Sequence, residues 1–209
     1  MADVVLFDLF GVIARQQSPS GRQSLAATAG VADRMVAAFW ETYWRLRPPY
    51  DRGQVTGSEY WGRVAADLGA TFDSDRIAGL IAADVASWSA VDHDMVTLVE
   101  QMAAAGRRVA LLSNIPEELA RHYEQHHRWL RHFDVVAFSC RIGHTKPEPD
   151  AYRWCGQALR VAPGRTLFID DRVENIRAAE DIGMRTHLFV DCVQARRAID
   201  AELDTAPRG

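Results

Sequence analysis

The sequence predicts an α/β protein with a doubly wound parallel sheet of about five strands. Short runs of β-branched and apolar residues alternate with longer stretches of helical spacing, and this alternation favours parallel strands joined by helices that cover both faces of the sheet. All but the third run begin shortly after a glycine or near the N-terminus. The candidate strands are VVLFDL (4–9), RVALLS (108–113), DVVAFS (134–139), RTLFID (165–170) and THLFV (186–190).

The stretches between these strands carry helix start and stop signals. Asp92 or Asp94 can cap a helix that ends before Gly106, with apolar residues recurring at helical spacing between them. Pro116 can open the next helix, because proline is favoured in the first helical turn. Further helices are expected over residues 149–160 and 173–183.

Residues 14–90 interrupt this rhythm with several helical patterns and no convincing strand. We therefore predict a helical domain at 14–90, inserted into a core domain formed by residues 1–13 and 91–209. Large aromatic residues here either fill a small helical core or line a substrate cavity. An arginine of this segment would either lie on the surface or anchor a second anionic group of the substrate. The tryptophans in or beside the segment are Trp40, Trp44, Trp61 and Trp88.

Composition restricts the partners of the protein. The 209 residues are 48% hydrophobic and 25% charged, with a net charge of -4, so we expect a globular protein that binds neither nucleic acid nor anionic lipid. The longest apolar run is far shorter than the ~20 residues of a membrane helix. The N-terminus has no basic leader, and the three cysteines are widely spaced. Both observations lead us to expect a cytoplasmic protein. A small molecule is the expected partner, and both a monomer and a homodimer remain open.

Polar residues follow four of the predicted strands. In an open α/β sheet, ligands bind beyond the carboxyl ends of the strands, where the strand order reverses. These side chains are therefore expected to share one site. They are Asp8 after the first strand, Ser113 and Asn114 after the second, Lys146 after the third, and Asp170 and Asp171 after the fourth.

The chemistry of this set indicates a metal and a phosphate. Three carboxylates at one place repel each other unless a divalent cation lies among them, and oxygen ligands completed by water suit Mg²⁺. A serine hydroxyl, an asparagine amide and a lysine ammonium supply donors and a positive charge for a phosphate. Gly11 lets backbone N–H groups approach the same anion. A carboxylate beside a metal-bound phosphate can act as a nucleophile.

Four motifs occur in order at these strand ends: FDLFGVI (7–13), LLSN (111–114), HTKPEPDAY (144–152) and FIDDRVENIRAAEDIGM (168–184). They resemble the motifs of the haloacid dehalogenase superfamily of hydrolases, most of which are phosphatases. The later motifs are similar to the branch with the phosphatase domain of soluble epoxide hydrolases and bacterial sugar-phosphate phosphatases. The resemblance covers most of the chain. It implies a Rossmann-like sheet with an α-helical cap, and a Mg²⁺-dependent phosphatase acting on a small phosphorylated metabolite.

The same resemblance implies roles for the residues that bind phosphate. Asp8 would be the nucleophile that forms an aspartyl phosphate, and Ser113 would hold the phosphoryl oxygens. Lys146 would bind the phosphate and offset the charge on the nucleophile. Asn114 would help to orient the phosphate.

The resemblance also implies a metal site. Asp8, Asp170 and Asp171 would bind Mg²⁺ together with the backbone carbonyl of Phe10. Asn175 would support this site from a second layer.

Position 10 leaves three functions open. Most phosphatases of the family carry a second aspartate there, which protonates the leaving group, whereas this chain has Phe10. The protein would then be a phosphatase for esters with good leaving groups, such as glycosyl or acyl phosphates. Alternatively it is a metal-independent 2-haloacid dehalogenase, or a catalytically weak relative that binds a phosphorylated ligand or a partner protein. His144 is the candidate for a substitute acid or base, since it lies two residues before Lys146 and an imidazole can relay a proton.

Overall fold

The computed structural model describes residues 1–203. Its sheet has five strands, all parallel, in the order β3-β2-β1-β4-β5. The predicted α/β class and parallel sheet are therefore confirmed. The strands are β1 (Val4–Phe7), β2 (Arg108–Ser113), β3 (Val135–Phe138), β4 (Thr166–Asp170) and β5 (Arg185–Leu188).

Helices occupy most of the chain between the strands. The predicted cap of α5 is present, since the Asp92 carboxylate accepts the backbone N–H groups of Asp94 and Met95 at 3.0 and 3.2 Å. Within residues 1–203, none of the helices combines the length and the apolar character needed to cross a membrane. The helices are α1 (Pro19–Ala29), α2 (Val36–Asp51), α3 (Gly57–Asp67), α4 (Ser74–Ser87), α5 (His93–Ala104), α6 (Glu117–His126), α7 (Ser139–Ile142), α8 (Pro149–Leu159), α9 (Val173–Asp181) and α10 (Cys192–Leu203).

The central strand β1 is buried on both faces. Val5 and Phe7 pack in one apolar cluster, and Val4 and Leu6 pack in a second cluster on the opposite face. Because side chains alternate along a strand, Asp8 continues the row of Val4 and Leu6. The strand order reverses at β1, which has β2 on one side and β4 on the other. This is the edge where ligands of such sheets bind.

β1 is two residues shorter than the predicted strand 4–9. The backbone N–H of Asp8 still donates to the carbonyl of Ile169 at 2.9 Å, which holds Asp8 beside Asp170 at the end of β4. The chain then turns, and the backbone N–H groups of residues 12–14 all donate to the carbonyl of Leu9. The turn ends the strand pairing of β1, and Asp8 therefore lies at the carboxyl edge of the sheet.

Residues 14–90, the helical insertion, contain α1 to α4 and enclose an apolar cluster of their own. Its largest fully buried side chains are Tyr43, Tyr60 and Trp61. Aromatic residues therefore do fill a small helical core, whereas Trp44 stays 47% exposed. The division of the chain into two domains stays a prediction.

The residues that follow α2 contact the described residues outside 14–90. We term those residues outside the insertion the sheet core. The Arg52 guanidinium donates to Thr145 Oγ1 at 2.8 Å and forms an ion pair with Glu148. Gly53 has a φ of +72°, and a Cβ at this position would lie 2.2 Å from the carbonyl oxygen of Cys140. The backbones of Gly53 and Cys140 therefore lie so close together that no side chain fits at position 53.

We expect Gly53→Ala to lower the free energy of unfolding by about 2 kcal/mol or more, because the left-handed conformation and the backbone clash add together. Gly69→Ala is the matched control, since Gly69 has a φ of +67° and open space around a Cβ. Its expected loss is about 1 kcal/mol, from the conformation alone. Urea unfolding followed by circular dichroism measures both variants. Equal losses of unfolding free energy in the two variants would contradict the close packing at Gly53.

Candidate active site

The ammonium of Lys146 lies between two buried carboxylates. Its Nζ atom is 2.6 Å from Asp8 Oδ1 and 2.7 Å from Asp170 Oδ2. The side chains of Lys146 and Asp170 are only 2% and 0% exposed, so water screens these ion pairs little. The structure thus brings together three residues that the sequence places near three different strand ends.

The carboxylate of Asp170 is held by further donors. Asn175 Nδ2 lies 2.9 and 3.0 Å from its two oxygens, and the backbone N–H of Arg172 donates to Oδ1 at 2.8 Å. The hydroxyl of Tyr152 donates to the carbonyl of Asn175 at 3.0 Å, which fixes the first turn of α9. Asn175 therefore supports the acidic centre through Asp170, in the supporting position that the resemblance implies.

Burial and neighbouring charges shift the pKa values of these groups. Burial and the neighbouring Asp170 carboxylate raise the pKa of Asp8 well above its ordinary value, despite the ion pair with Lys146. Burial also acts to raise the pKa of Asp170, but Lys146 and Asn175 hold it below its ordinary value. The pKa of Lys146 is raised, because its two carboxylate partners outweigh the effect of burial. One ammonium therefore does not balance the carboxylates.

Asp171 contributes a third carboxylate. Oxygen atoms of Asp8, Asp170 and Asp171 lie within 4.8 Å of one another. Gln16 Nε2 donates to Asp171 Oδ2 at 3.0 Å, whereas Asp171 Oδ1 is buried and has no hydrogen-bond partner among the described residues. When all are ionised, three carboxylates and the Lys146 ammonium sum to a charge of -2, which one divalent cation would neutralise.

The turn after β1 contains the carbonyl of Phe10, which the resemblance assigns to the metal site. Its backbone hydrogen bonds run to the carbonyls of Leu9 and Ala14, and none that the described part of the chain forms there engages the carbonyl of Phe10. Gly11 has a φ of +88°, and a Cβ there would lie 2.0 Å from Asp171 Oδ2. Only glycine lets the turn come so close to the carboxylate. Carboxylate and carbonyl oxygens are ligands that Mg²⁺ takes, so the residues fit the predicted ion.

Ser113 and Asn114 differ in their contacts. The Ser113 hydroxyl is buried at the end of β2, and its hydrogen-bonding capacity is unused within residues 1–203. Asn114 holds the backbone of Lys146: its Oδ1 accepts from Lys146 N at 2.8 Å, and its Nδ2 donates to Lys146 O at 2.7 Å. Sequence reasoning missed this contact, which fixes the loop that carries the ammonium.

A cavity of about 640 Å³ opens beside these groups and is lined by both parts of the chain. The sheet core contributes Asp8, Phe10, Asn114, Thr145, Lys146, Arg172 and Asn175. The helical insertion contributes Gln16, Trp44, Arg47, Pro48, Asp51 and Trp88.

One face of α2 forms the wall from the helical insertion. The lining residues at positions 44, 47, 48 and 51 recur at i, i+3, i+4 and i+7, which is the spacing of a single helix face. This spacing is the sequence signal that could have identified the wall. His144 is not among the residues that line the cavity, although its neighbour Thr145 is, so the substitute acid or base proposed from sequence lies outside the cavity.

Phe10 lines the cavity with an apolar ring. Its centroid is 4.9 Å from that of Trp88 and 5.8 Å from that of Tyr123, both in edge-on geometry. The side chain is therefore part of an aromatic cluster and offers no proton to a ligand.

The parallel sheet, the acidic centre at its carboxyl edge and the adjoining cavity define an α/β protein with a candidate active site. The chain belongs to the haloacid dehalogenase-like hydrolase family, whose model matches residues 2–183. The family predicted from the four sequence motifs is thus confirmed.

Relatives of known activity match parts of the chain. The bifunctional epoxide hydrolase 2 of Rattus norvegicus is 37% identical over 70 residues, which make up 34% of this chain and only 13% of that enzyme. The sesquiterpene phosphatase astK of Aspergillus oryzae is 26% identical over 155 residues, which make up 72% of this chain and 77% of that protein.

Solved structures share the fold. The HAD family enzyme bt-2542 of Bacteroides thetaiotaomicron, in complex with magnesium and inorganic phosphate, aligns with a TM-score of 0.72 at 18% identity, covering 90% of this chain and 93% of that one. The L-2-haloacid dehalogenase of Xanthobacter autotrophicus aligns with a TM-score of 0.64 at 19% identity, covering 96% and 83%. At these identities the likeness concerns the fold alone.

We expect Lys146→Met to lower the free energy of unfolding by about 3 kcal/mol in the presence of EDTA, because two buried carboxylates lose their counter-charge. Arg153→Met is the control, since Arg153 pairs with Asp150 at 3.0 Å with both side chains more than half exposed; its expected loss is below about 1 kcal/mol. Urea unfolding measures both. A Lys146→Met variant as stable as the control would refute the charge balance described here.

Proposed function

We propose that the protein is a Mg²⁺-dependent phosphatase, which hydrolyses a phosphoric monoester of a small metabolite through an aspartyl-phosphate intermediate. The observation that carries this proposal is the convergence of three carboxylates, two of which pair with the single ammonium of Lys146. Two relatives support the reaction class, the sesquiterpene phosphatase and the D-ribitol-5-phosphate phosphatase of Bacteroides thetaiotaomicron. The neighbour solved with magnesium and inorganic phosphate supports the ligands.

Asp8 is the proposed nucleophile. Its Oδ1 accepts the backbone N–H of Leu9 at 2.6 Å and pairs with Lys146, which orients the carboxylate and leaves Oδ2 to attack phosphorus. As that bond forms, the bond from phosphorus to the leaving oxygen breaks, and Lys146 offsets the charge on the transferred group. The unpartnered Ser113 hydroxyl donates to a phosphoryl oxygen. Mg²⁺, when held by the carboxylates and the Phe10 carbonyl, would neutralise phosphoryl charge.

The leaving group receives no proton from position 10. Phe10 neither protonates an alkoxide nor activates the water that hydrolyses the aspartyl phosphate, so a contribution of ~10² to 10⁴ in rate is missing at this position. Esters whose leaving group departs without full protonation are therefore the favoured substrates. Glycosyl and acyl phosphates have this property.

The helical insertion serves as the cap of the site in this proposal. It supplies six of the residues that line the cavity, and Arg52 ties it to the loop of the sheet core that carries Lys146. A cavity enclosed from two sides excludes bulk water from the aspartyl phosphate, and opening of such a lid often limits turnover.

Phe10 also favours a second candidate, a metal-independent 2-haloacid dehalogenase, because a halide leaves without a proton. The shared fold with the L-2-haloacid dehalogenase is compatible with it. The adjacent pair Asp170 and Asp171 counts against it, since displacement of a halide by a carboxylate needs no cation site. A catalytically weak relative that binds a phosphorylated ligand is the third candidate.

Chelation and nucleophile removal test the reaction. We expect the purified protein to release phosphate from acetyl phosphate with Mg²⁺ and to lose this activity in EDTA. Asp8→Asn should lower the rate by at least about a thousandfold, because the attacking carboxylate is gone. Asp150→Asn, an exposed carboxylate outside the cavity, is the control and should retain the rate. Halide release from 2-haloacids in EDTA would establish the dehalogenase, and binding without any turnover would establish the weak relative.

A second variant tests the role of position 10. We expect Phe10→Asp to raise kcat for an alkyl phosphate relative to kcat for acetyl phosphate by about 10² or more, because only the poor leaving group gains from a proton donor. Steady-state phosphate release with both substrates gives the ratio. A uniform loss of activity would show that the ring, and not the missing proton, limits the reaction.

A further inference from the structure

One wall of the cavity is aromatic. The ring centroids of Trp44 and Trp88 lie 6.0 Å apart, and the ring of Phe10 lies 4.9 Å from Trp88. These three residues, the aromatic wall, all line the cavity. Trp44 is 47% exposed and meets the ring of Trp88 edge-on at 84°, so its indole is the ring of this wall that can stack with a flat apolar group.

The arginine next to this wall is already neutralised. Arg47 Nε lies 2.7 Å from Asp51 Oδ1, and its Nη1 lies 2.9 Å from Asp84 Oδ2. Nη1 also donates to the hydroxyl of Tyr43. The side chain is only 6% exposed, so these partners take up its charge. The contacts do not support the expectation that an arginine of the helical insertion anchors a second anion.

The other cations at the cavity are paired as well. Lys146 lies between the two carboxylates of the acidic centre, and Arg172 forms an ion pair with Glu174. Within residues 1–203, every lysine or arginine that lines the cavity therefore has a carboxylate partner. With both carboxylates ionised, Arg47, Asp51 and Asp84 sum to a charge of -1, and Asp51 lines the cavity, so a second anion on the ligand would meet a net negative charge near α2.

We propose that the cavity takes a phosphate monoester whose leaving group is flat, apolar and uncharged, such as an aryl or polycyclic alcohol stacked on the aromatic wall. The phosphate half of this inference rests on the proposed function of Asp8, Lys146 and Ser113. The volume of about 640 Å³ is within the roughly 300–1,000 Å³ of small-molecule sites. The inference disfavours bisphosphates and phosphorylated carboxylic acids, which carry a second anion.

The first experiment compares esters that differ by one charge. The full chain with Mg²⁺ receives 2-naphthyl phosphate, 6-carboxy-2-naphthyl phosphate and, separately, acetyl phosphate, and phosphate release gives kcat/KM. We expect the uncharged naphthyl ester to exceed the carboxylated one by at least about tenfold, because the added carboxylate faces Asp51. Equal values, with phosphate released from all three, would overturn this inference and leave the proposed function intact.

The second experiment needs no turnover. Isothermal titration calorimetry measures the binding of 2-naphthylmethylphosphonate to Trp44→Leu and to the matched control Trp40→Leu. Trp40 lies one turn earlier on α2, beneath Arg22, and does not line the cavity. We expect Trp44→Leu to weaken binding about tenfold and Trp40→Leu to leave it unchanged, with circular dichroism confirming that both fold. Equal affinities in the two variants would overturn the aromatic wall as the binding surface.

Charge variants complete the test. Asp51→Asn frees Arg47 from one of its carboxylates. We expect 6-carboxy-2-naphthylmethylphosphonate, the carboxylated form of the phosphonate above, to bind this variant at least about tenfold more tightly than the wild type. Asp84→Asn removes the other carboxylate partner of Arg47, and we expect a smaller gain from it, because Asp51 still lines the cavity. No gain in either would overturn the charge argument. If the binding pattern holds while no ester is hydrolysed, this inference stands and the proposed phosphatase activity fails.

Discussion

The concentration of negative charge at the carboxyl edge of the sheet is the constraint on which the site depends. Neighbouring buried carboxylates are unfavourable unless cations lie among them. Lys146 supplies one positive charge through ion pairs of 2.6 and 2.7 Å, yet the pKa of Asp8 stays raised. The buried and unpartnered Oδ1 of Asp171 adds to the deficit. The carboxylates thus outnumber the one ammonium, an excess that a bound cation or a proton on Asp8 would offset. This excess is the basis of the proposed Mg²⁺ site.

The position of the ammonium depends on segments far apart in the chain. Asn114, at the end of β2, makes two hydrogen bonds to the backbone of Lys146. Thr145, the preceding residue, accepts a hydrogen bond from Arg52 of the helical insertion. The loop is therefore fixed from the sheet core on one side and from the insertion on the other. The insertion also contacts the charged centre directly, because Gln16 Nε2 donates to Asp171 Oδ2 at 3.0 Å.

Local patterns made most of the fold predictable, because strand composition and the Asp92 cap act within a few residues. The grouping of the site residues was predictable, because parallel strands bring the residues at their carboxyl ends to one edge of the sheet. The role of Asn114 was not, since an amide can bind phosphate or clamp a loop, and its partner lies 32 residues away. Nor was the contrast between buried Trp61 and exposed Trp44, because it depends on how α2 and α3 pack on each other and on the sheet core.

Phe10 connects the chemistry of the site to its selectivity. Its ring packs on Trp88, whose carbonyl accepts the hydroxyl of Tyr123 at 2.7 Å and whose indole N–H donates to the hydroxyl of Tyr43 at 3.1 Å. A carboxylate at position 10 would lose those ring contacts. It would also add negative charge near a centre that already contains three carboxylates. In the proposed reaction, Phe10 therefore withholds a proton from the leaving group and also completes the apolar surface on which that group would lie. Aryl oxides satisfy both conditions at once, because the ring that stacks on the wall also delocalises the negative charge as the bond to phosphorus breaks.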